Sequence, residues 1–145
     1  MQPYKHILVA LDLSNEARQV AERGRDLADR YGAKLSFIHV VEPIIVDNSY
    51  DLMTSLPAEL DDSLQERAST FLAKVSDQLN LRDVQQMVTL GSTRSEIFRI
   101  AQEQSMDLIV VGTHGRHGVG LLLGSTANAI LHGTPCDVHA VRIHR

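Results

Sequence analysis

The sequence lacks several features that would place it in a specialised class of proteins. It has one cysteine, so no disulfide can form within the chain, which is consistent with a reducing cytoplasm. No stretch of about 18 apolar residues occurs, so no membrane-spanning helix is predicted. Positive charge is also scarce, since 14 Lys and Arg stand against 18 Asp and Glu, a formal net charge of −4. This balance argues against a general nucleic-acid-binding protein, which would carry a basic patch.

The remaining composition is typical of one soluble globular domain. The 145 residues are enough to bury a core, and hydrophobic (43%) and charged (22%) residues occur in ordinary proportions. The N-terminal stretch MQPYKHILVALDLS has no small-residue cleavage site, so we do not expect a signal peptide. Residues 1–145 are therefore interpreted as a single cytoplasmic domain.

Apolar runs alternate with amphipathic segments along the chain. Five runs rich in branched residues predict strands at 4–11, 34–41, 84–90, 107–112 and 136–143. Helical spacing of apolar residues predicts four helices, over 17–31, 60–79, 93–101 and 125–133. This alternation predicts an α/β fold, an open doubly wound five-stranded parallel sheet with helices on both faces, of the Rossmann-like type.

Capping residues predict where the helices begin and end. Ser14 is expected to cap the first helix, and Thr93 with Glu96 to form a capping box at the third. Gly32 and Asn80 are expected to end the first two helices. The segment 42–59 has no clear period and is predicted to be a loop.

Five glycines lie within the thirteen residues 112–124, in the stretch 112-GTHGRHGVGLLLGST-126, between the clearest buried strand and the last helix. In an open parallel sheet, ligands bind beyond the carboxyl ends of the strands, where the strand order reverses. Gly112 and Gly115 would let the backbone approach an anion closely. Gly124, Ser125 and Thr126 would form a helix N-terminus whose unpaired N–H groups favour phosphate.

The residues alone leave the role of this stretch open. Asp12 ends the first predicted strand and could accept a hydrogen bond from a ribose hydroxyl or a base. An equally weighted interpretation is that the glycines form a surface loop and Ser125 only caps a helix. The chain has neither of two standard phosphate-binding patterns, G-x-x-x-x-G-K-[ST] and G-x-G-x-x-G.

Four stretches together resemble the universal stress protein family, namely 5-KHILVALDLS-14, 38-IHVVEP-43, 107-DLIVVGTHGRHG-118 and 122-LLGSTANAILHGTPCDVHAVR-142. The resemblance covers essentially the whole chain in the right order. It implies a doubly wound domain of the adenine nucleotide alpha hydrolase-like kind, usually a homodimer, made in bacteria under stress or growth arrest. One branch of this family binds ATP, and another lacks the glycine motif and does not.

The ATP-binding branch carries the pattern G-x2-G-x9-G-[ST]. The resemblance assigns Gly112 and Gly115 to the first pair, with Thr113 between them, and Gly124 and Ser125 to its end. This chain departs from the pattern in one respect, because eight residues rather than nine separate Gly115 from Gly124. Loops tolerate such changes better than strands do, and further glycines in this loop could absorb the difference.

On the nucleoside side, Asp12 matches the family's Asp beside adenine or ribose, and Val40 matches its adenine wall. With Thr126 as a further phosphate donor, the resemblance implies that ATP, with or without Mg²⁺, is a regulatory ligand. Hydrolysis is expected to be slow at most, because no general base or arginine finger is evident. The alternative, motivated by the shortened loop, is a nucleotide-free dimeric interaction module of the stress response.

Other polar residues support weaker interpretations. No metal site is predicted from His114, His117 and His132, because no Cys or carboxylate cluster joins them. His114 or Arg116 could instead reach a phosphate. Cys136 is expected to be buried and inert. The last strand is expected to form an edge of the sheet, and pairing with the same strand of a second copy would cover it, as in the family's homodimers.

Overall fold

The computed structural model describes residues 3–43, 58–113 and 125–144, and these contain five strands and four helices. The first three elements are strand β1 (His6–Ala10), helix α1 (Ala17–Tyr31) and strand β2 (Lys34–Val41). The next three are helix α2 (Ala58–Gln78), strand β3 (Gln85–Leu90) and helix α3 (Thr93–Glu103). The last three are strand β4 (Leu108–Gly112), helix α4 (Ser125–Leu131) and strand β5 (Asp137–Val141).

The five strands form one parallel sheet in the order β3-β2-β1-β4-β5. The chain moves outward from β1 through β2 to β3, and then returns to the other side of β1 for β4 and β5. The strand order therefore reverses between β1 and β4, which leaves a crevice at the carboxyl ends of these strands. The predicted doubly wound α/β fold is confirmed.

Each face of the sheet has its own apolar layer. Successive residues of a strand point to opposite faces, so β1 contributes Ile7 and Val9 to one layer and Leu8 to the other. Helices α1 and α2 cover the first layer, and α3 and α4 cover the second. Gly24 allows α1 to approach β1 closely, because a Cβ there would collide with the side chain of Val9.

The central and edge strands differ in burial. The middle residues of β1 are all buried, and so are the first four residues of β4. In contrast, β3 has exposed Gln85 and Gln86 and its other residues are at most half-buried. An edge strand has a neighbour on one side only, which explains why the apolar pattern of 84–90 is weak although the strand forms.

The predicted cap of the first helix is wrong. The N-cap of α1 is Glu16, and the side chain of Ser14 instead hydrogen-bonds to Asp12. Since the Ser14 hydroxyl is used in this turn, it does not cap the helix. The predicted C-terminal ends are correct: Gly32 has a left-handed φ of 64° after α1, and Asn80 has a φ of 56° after α2.

The predicted capping box of the third helix is also wrong. Ser92 is the N-cap of α3, and Thr93 is the first helical residue. The backbone N–H and the hydroxyl of Thr93 both donate to Glu42, which follows β2. A carboxylate from another part of the chain therefore takes the place of the local cap. The strands and the remaining helix ends fall within about two residues of their predicted bounds, as is usual for element ends.

Candidate functional site

A cleft opens at the carboxyl ends of β1, β2 and β4, where the strand order reverses. Its walls also include the start of α3, part of α4 and Ile143 beyond β5. Four of the residues predicted to bind a nucleotide line this cleft together, namely Asp12, Val40, Gly112 and Thr126. These residues lie on separate segments, and the sheet topology brings them to one place.

Asp12 lies two residues beyond the end of β1, and its side chain is part of a tight local turn. The Oδ1 atom accepts hydrogen bonds from the backbone N–H of Ser14 (3.1 Å) and from the Ser14 hydroxyl (2.5 Å). Asp commonly forms such turns with the residue two positions on. Within the described residues no group donates to Oδ2, so this oxygen can accept a hydrogen bond from a ligand.

One side of the cleft is apolar. Val40 at the end of β2 retains 7% of its exposure, and Ile38 beside it is fully buried. Ile97 of α3 and Val111 of β4 continue this surface. Small-molecule sites are usually lined in this way, with apolar walls and a few polar groups that fix the orientation of the ligand. The combination of this wall with Asp12 suits a flat heterocycle that carries hydrogen-bonding groups.

Gly112 ends β4 at a place where the backbone is closely surrounded. A Cβ at this position would lie 3.1 Å from Cγ2 of Val20 and 3.2 Å from Cδ1 of Ile143. Both distances are shorter than ordinary van der Waals contact, so a larger residue would require the side chains of Val20 and Ile143 to shift by a few tenths of an ångström. Packing therefore gives a second reason for glycine here, beside the close approach to an anion predicted from the sequence.

Thr113 lies beside the cleft and is hydrogen-bonded within the fold. Its backbone N–H donates to the carbonyl of Val141 (2.8 Å), and its hydroxyl accepts from the N–H of Ile143 (3.3 Å). These bonds join the end of β4 to the chain beyond β5. Thr113 is not among the residues that line the cleft, and its amide is already used within the protein.

The phosphate side of the predicted site is described only in part. Thr126 of α4 is half-buried and lines the cleft, and Ser125 is the first residue of α4. Gly115 and Gly124 lie outside the described residues. The roles predicted for them, and for the loop residues His114, Arg116 and His117, therefore remain predictions.

Glu42 is a polar residue near the cleft that the sequence pattern did not point to. Its Oε1 accepts the backbone N–H (3.1 Å) and the hydroxyl (2.7 Å) of Thr93, which itself lines the cleft. These two bonds hold the pKa of Glu42 below its usual value. The positive end of α3 thus already holds a carboxylate at Thr93, whose negative charge disfavours a phosphate there. An acidic residue directly after a buried strand was the available signal.

The charge of the described cleft is negative. Asp12 and Glu16 line it, and none of its described lining residues is Lys or Arg. A polyanionic ligand would therefore depend on backbone N–H groups and on a divalent cation to offset its charge.

Cys136 is half-buried rather than fully buried. Burial raises the pKa of its thiol to about 11, so the thiolate is scarce at neutral pH, as expected for an inert cysteine. Within 3–43, 58–113 and 125–144 there is no group of three or more His, Cys, Asp and Glu placed to hold a metal ion. Among the described helices, none has the length and apolar character needed to cross a membrane.

The fold and the cleft together define the class of this protein, an open doubly wound α/β domain with its cleft at the topological switch point. The particular family follows from the sequence as a whole. The model of the universal stress protein family matches residues 3–142, so the chain belongs to this family.

Relatives with known names agree with this assignment. The chain is 43% identical over 146 residues to universal stress protein A homolog 2 of Coxiella burnetii, covering 99% of this chain and 98% of the relative. It is 36% identical over 138 residues to universal stress protein A homolog 1 of the same organism, covering 95% and 96% respectively.

Solved structures show the same fold. A universal stress protein family member from Burkholderia pseudomallei superposes with a TM-score of 0.72 at 26% identity, covering 97% of this chain and 98% of that one. A universal stress protein in complex with cAMP superposes with a TM-score of 0.67 at 22% identity, covering 96% and 97%.

Proposed function

We propose that this protein binds an adenine nucleotide, ATP, in the cleft and that the nucleotide is a regulatory ligand in the cellular stress response. The observation that carries the proposal is the convergence of Asp12, Val40, Gly112 and Thr126 on one cleft. Membership of the universal stress protein family supports it. So does the relative that has been crystallised with cAMP, which is itself an adenine nucleotide.

The nucleoside would occupy the part of the cleft beside β1 and β2. Adenine would lie against Val40 and Ile97, where burial of its apolar faces is favourable. The free Oδ2 of Asp12 would accept a hydrogen bond from a ribose hydroxyl or from the base. A carboxylate accepts such bonds strongly because it is charged.

The phosphates would extend toward the hydroxyl of Thr126 and the backbone of Gly112. Gly115, Gly124 and Ser125 would complete the phosphate site, as the sequence pattern predicts. Since Asp12 and Glu16 make the described cleft negative, we expect Mg²⁺ to accompany the triphosphate and reduce the repulsion. Glu42 follows β2 and is bonded to Thr93 at the start of α3, and its negative charge would keep the phosphates away from that helix.

The bound nucleotide would act by stabilising one conformation or partner surface over another. A ligand shifts such an equilibrium only by its difference in affinity for the two states. We propose regulation rather than rapid turnover, because none of the described lining residues is an arginine that could stabilise a phosphoryl-transfer transition state.

We further propose that the protein works as a cytoplasmic homodimer that pairs through β5. In the described sheet β5 is an edge strand, its outer side has no neighbour there, and Ala140 within it is exposed. Unpaired N–H and C=O groups on an edge invite pairing with another strand. Two-fold pairing of β5 with itself would satisfy these groups.

Isothermal titration calorimetry on nucleotide-stripped protein tests the proposal. We expect saturable binding of MgATP at one site per chain, weaker binding of ATP in the presence of EDTA, and weaker binding of MgGTP. Sedimentation equilibrium on the same sample should give twice the mass of one chain.

These measurements distinguish a nucleotide-binding regulatory protein from a nucleotide-free interaction module. Absence of heat with millimolar MgATP would overturn the nucleotide proposal. A dimer without nucleotide binding would then favour the alternative, a nucleotide-free interaction module. A monomer that binds MgATP would overturn only the pairing through β5.

A further inference from the structure

Helix α4 is too short to hold its position by itself. It has seven residues, Ser125–Leu131, while isolated helices shorter than about 12–15 residues are marginal in water. Its place therefore depends on tertiary contacts. Ala127 and Ile130 are fully buried against the layer formed with α3 and β4. These two apolar residues hold one face of the helix in place. The last carbonyl groups of α4, as in any helix, have no partners within the helix itself.

Arg94 of α3 donates hydrogen bonds to two carbonyl groups at the end of α4. Its Nε donates to the carbonyl of Ala129 (3.1 Å) and to the carbonyl of His132 (3.2 Å). Its Nη2 donates to the same carbonyl of His132 at 2.6 Å. A cation at the C-terminus of a helix also interacts favourably with the helix dipole. One guanidinium group thus connects α3 to the last turn of α4.

Two features of the surroundings hold Arg94 in this place. Its guanidinium carbon lies 4.6 Å from the centre of the Phe98 ring, one turn further along α3. Gly133 leaves the necessary space, since a Cβ there would lie 2.6 Å from Nη2 of Arg94. Gly133 also has a φ of 77°, which favours glycine.

Both helices that Arg94 connects, α3 and α4, have a residue that lines the cleft. Thr93, which precedes Arg94, lines the cleft and is bonded to Glu42 beyond β2. Thr126, near the start of α4, lines the cleft on the side where the proposed function places the phosphates. At a rise of about 1.5 Å per residue, Thr126 and His132 are separated by roughly 9 Å along the axis of α4. Arg94 therefore acts at the far end of the helix from the ligand.

We propose that Arg94 is a positioning residue, which sets the position of α4 and thereby of Thr126 on the phosphate side of the nucleotide site. This inference depends on the proposed binding of ATP. Arg94 does not line the cleft, so its effect on affinity must pass through α4. Loss of the three hydrogen bonds should therefore affect ligands with phosphates more than ligands without them.

The test compares the affinities of MgATP and adenosine, measured by calorimetry, in matched variants. Arg94→Met keeps the aliphatic stem but removes every donor, and we expect MgATP affinity to fall about tenfold, the lower end of the loss typical of residues that orient a ligand-binding group. Adenosine affinity should stay within about twofold, since the base and ribose contacts are untouched. Arg94→Lys keeps the charge and one donor direction, so it should restore part of the loss.

Arg99→Met is the control. Arg99 lies on the same helix and is also exposed, but within the described residues its hydrogen bonds go to Glu96 and Glu103 of α3. This variant should bind MgATP and adenosine as the unaltered protein does. Hydrogen exchange of the α4 amides should become faster in Arg94→Met and stay unchanged in Arg99→Met.

Each outcome has a distinct meaning. If the unaltered protein binds MgATP and Arg94→Met binds it equally well, the positioning role is wrong and the proposed function stands. If both ligands weaken to the same extent, Arg94 stabilises the fold in general and the positioning role is again wrong. If the unaltered protein does not bind MgATP, both proposals fall. If Arg94→Met does not fold, the same test is made on Arg94→Lys: a loss of MgATP affinity larger than the loss of adenosine affinity supports the positioning role, and equal changes contradict it.

Discussion

The two ends of the parallel sheet use their polar side chains differently. At the amino ends, these side chains connect segments that are far apart in sequence. The hydroxyl of Tyr4 donates to Asp137 at 2.6 Å, and this bond helps raise the pKa of Tyr4 to about 12. The carboxylate of Asp107 accepts the backbone N–H groups of Lys5 (2.8 Å) and His6 (3.1 Å). These bonds join the start of β1 to the starts of β4 and β5.

A partly buried chain of polar side chains extends the same arrangement across β1, β2 and β3. The Nε2 of His6 lies 2.8 Å from the hydroxyl of Ser36, which is 3.1 Å from Oε1 of Gln85. Ser36 retains only 1% of its exposure, so its polar atom requires these partners. At this end, polar groups satisfy one another.

At the carboxyl ends, the only hydrogen bonds of the Asp12 side chain within the described residues go to Ser14, two residues away, and Asp12 lines the cleft. Glu42 is the exception, since it joins β2 to α3. Similar carboxylates therefore serve different purposes at the two ends of the sheet. Where both oxygens are used between distant segments, the residue holds the fold together, and where one remains free at a cleft, it is available to a ligand.

The largest expected effect comes from Asp12→Ala. Removal of the charged acceptor should weaken MgATP binding by about 10-fold to 100-fold, the value of a hydrogen bond to a charged group. The free energy of unfolding should change by less than about 1 kcal/mol, because only a local turn is lost. Calorimetry and urea denaturation measure the two quantities. Unchanged affinity would show that the free oxygen of Asp12 does not contact the ligand.

Asp107→Ala should have the opposite profile and is the matched control for Asp12→Ala. Two backbone N–H groups at the start of β1 would lose a charged acceptor, which should lower the free energy of unfolding by about 1–3 kcal/mol. MgATP affinity should stay within about twofold, because Asp107 lies at the other end of the sheet. Urea denaturation followed by circular dichroism measures the change. A loss of affinity without a loss of stability would break the distinction between the ends.

The smallest expected effect is a pH dependence that arises at the amino ends. Desolvation lowers the pKa of His6, and a bond to the carbonyl of Gln104 offsets this only in part. The unfolded chain therefore takes up a proton at a higher pH than the folded protein does. The free energy of unfolding should fall as the pH drops below about 6.5, the ordinary value for histidine.

Urea denaturation at several pH values between 7 and 5.5 measures this dependence, and His6→Gln should reduce its slope. Some slope should remain, because burial and the charge of Arg23 lower the pKa of His139 as well. The affinity for MgATP should be the same in His6→Gln as in the unaltered protein. An identical slope with and without His6 would show that His6 does not contribute to the pH dependence of the free energy of unfolding.

Much of the fold was predictable from local patterns. Strands buried on both faces produce nearly continuous apolar runs, and for this reason 34–41 was located to the residue and the central strands nearly so. The site was predictable in part, because Asp12 and Gly112 lie at the carboxyl ends of such strands. The two predicted N-caps were wrong because each side chain has a competing partner. For Ser14 it is Asp12, two residues away in a local turn, and for Thr93 it is Glu42, which is distant in sequence.

The sequence by itself determined which segments become strands and helices, and that polar and glycine residues follow the central strands, because these properties depend on the periodicity of neighbouring residues. Only the tertiary structure decided that Glu42 meets Thr93, that Arg94 meets the end of α4, and that Gly112 lies between Val20 and Ile143. These contacts join residues separated by tens of positions in the chain. Their hydrogen bonds and van der Waals contacts depend on distances that exist only once the sheet has set its strand order.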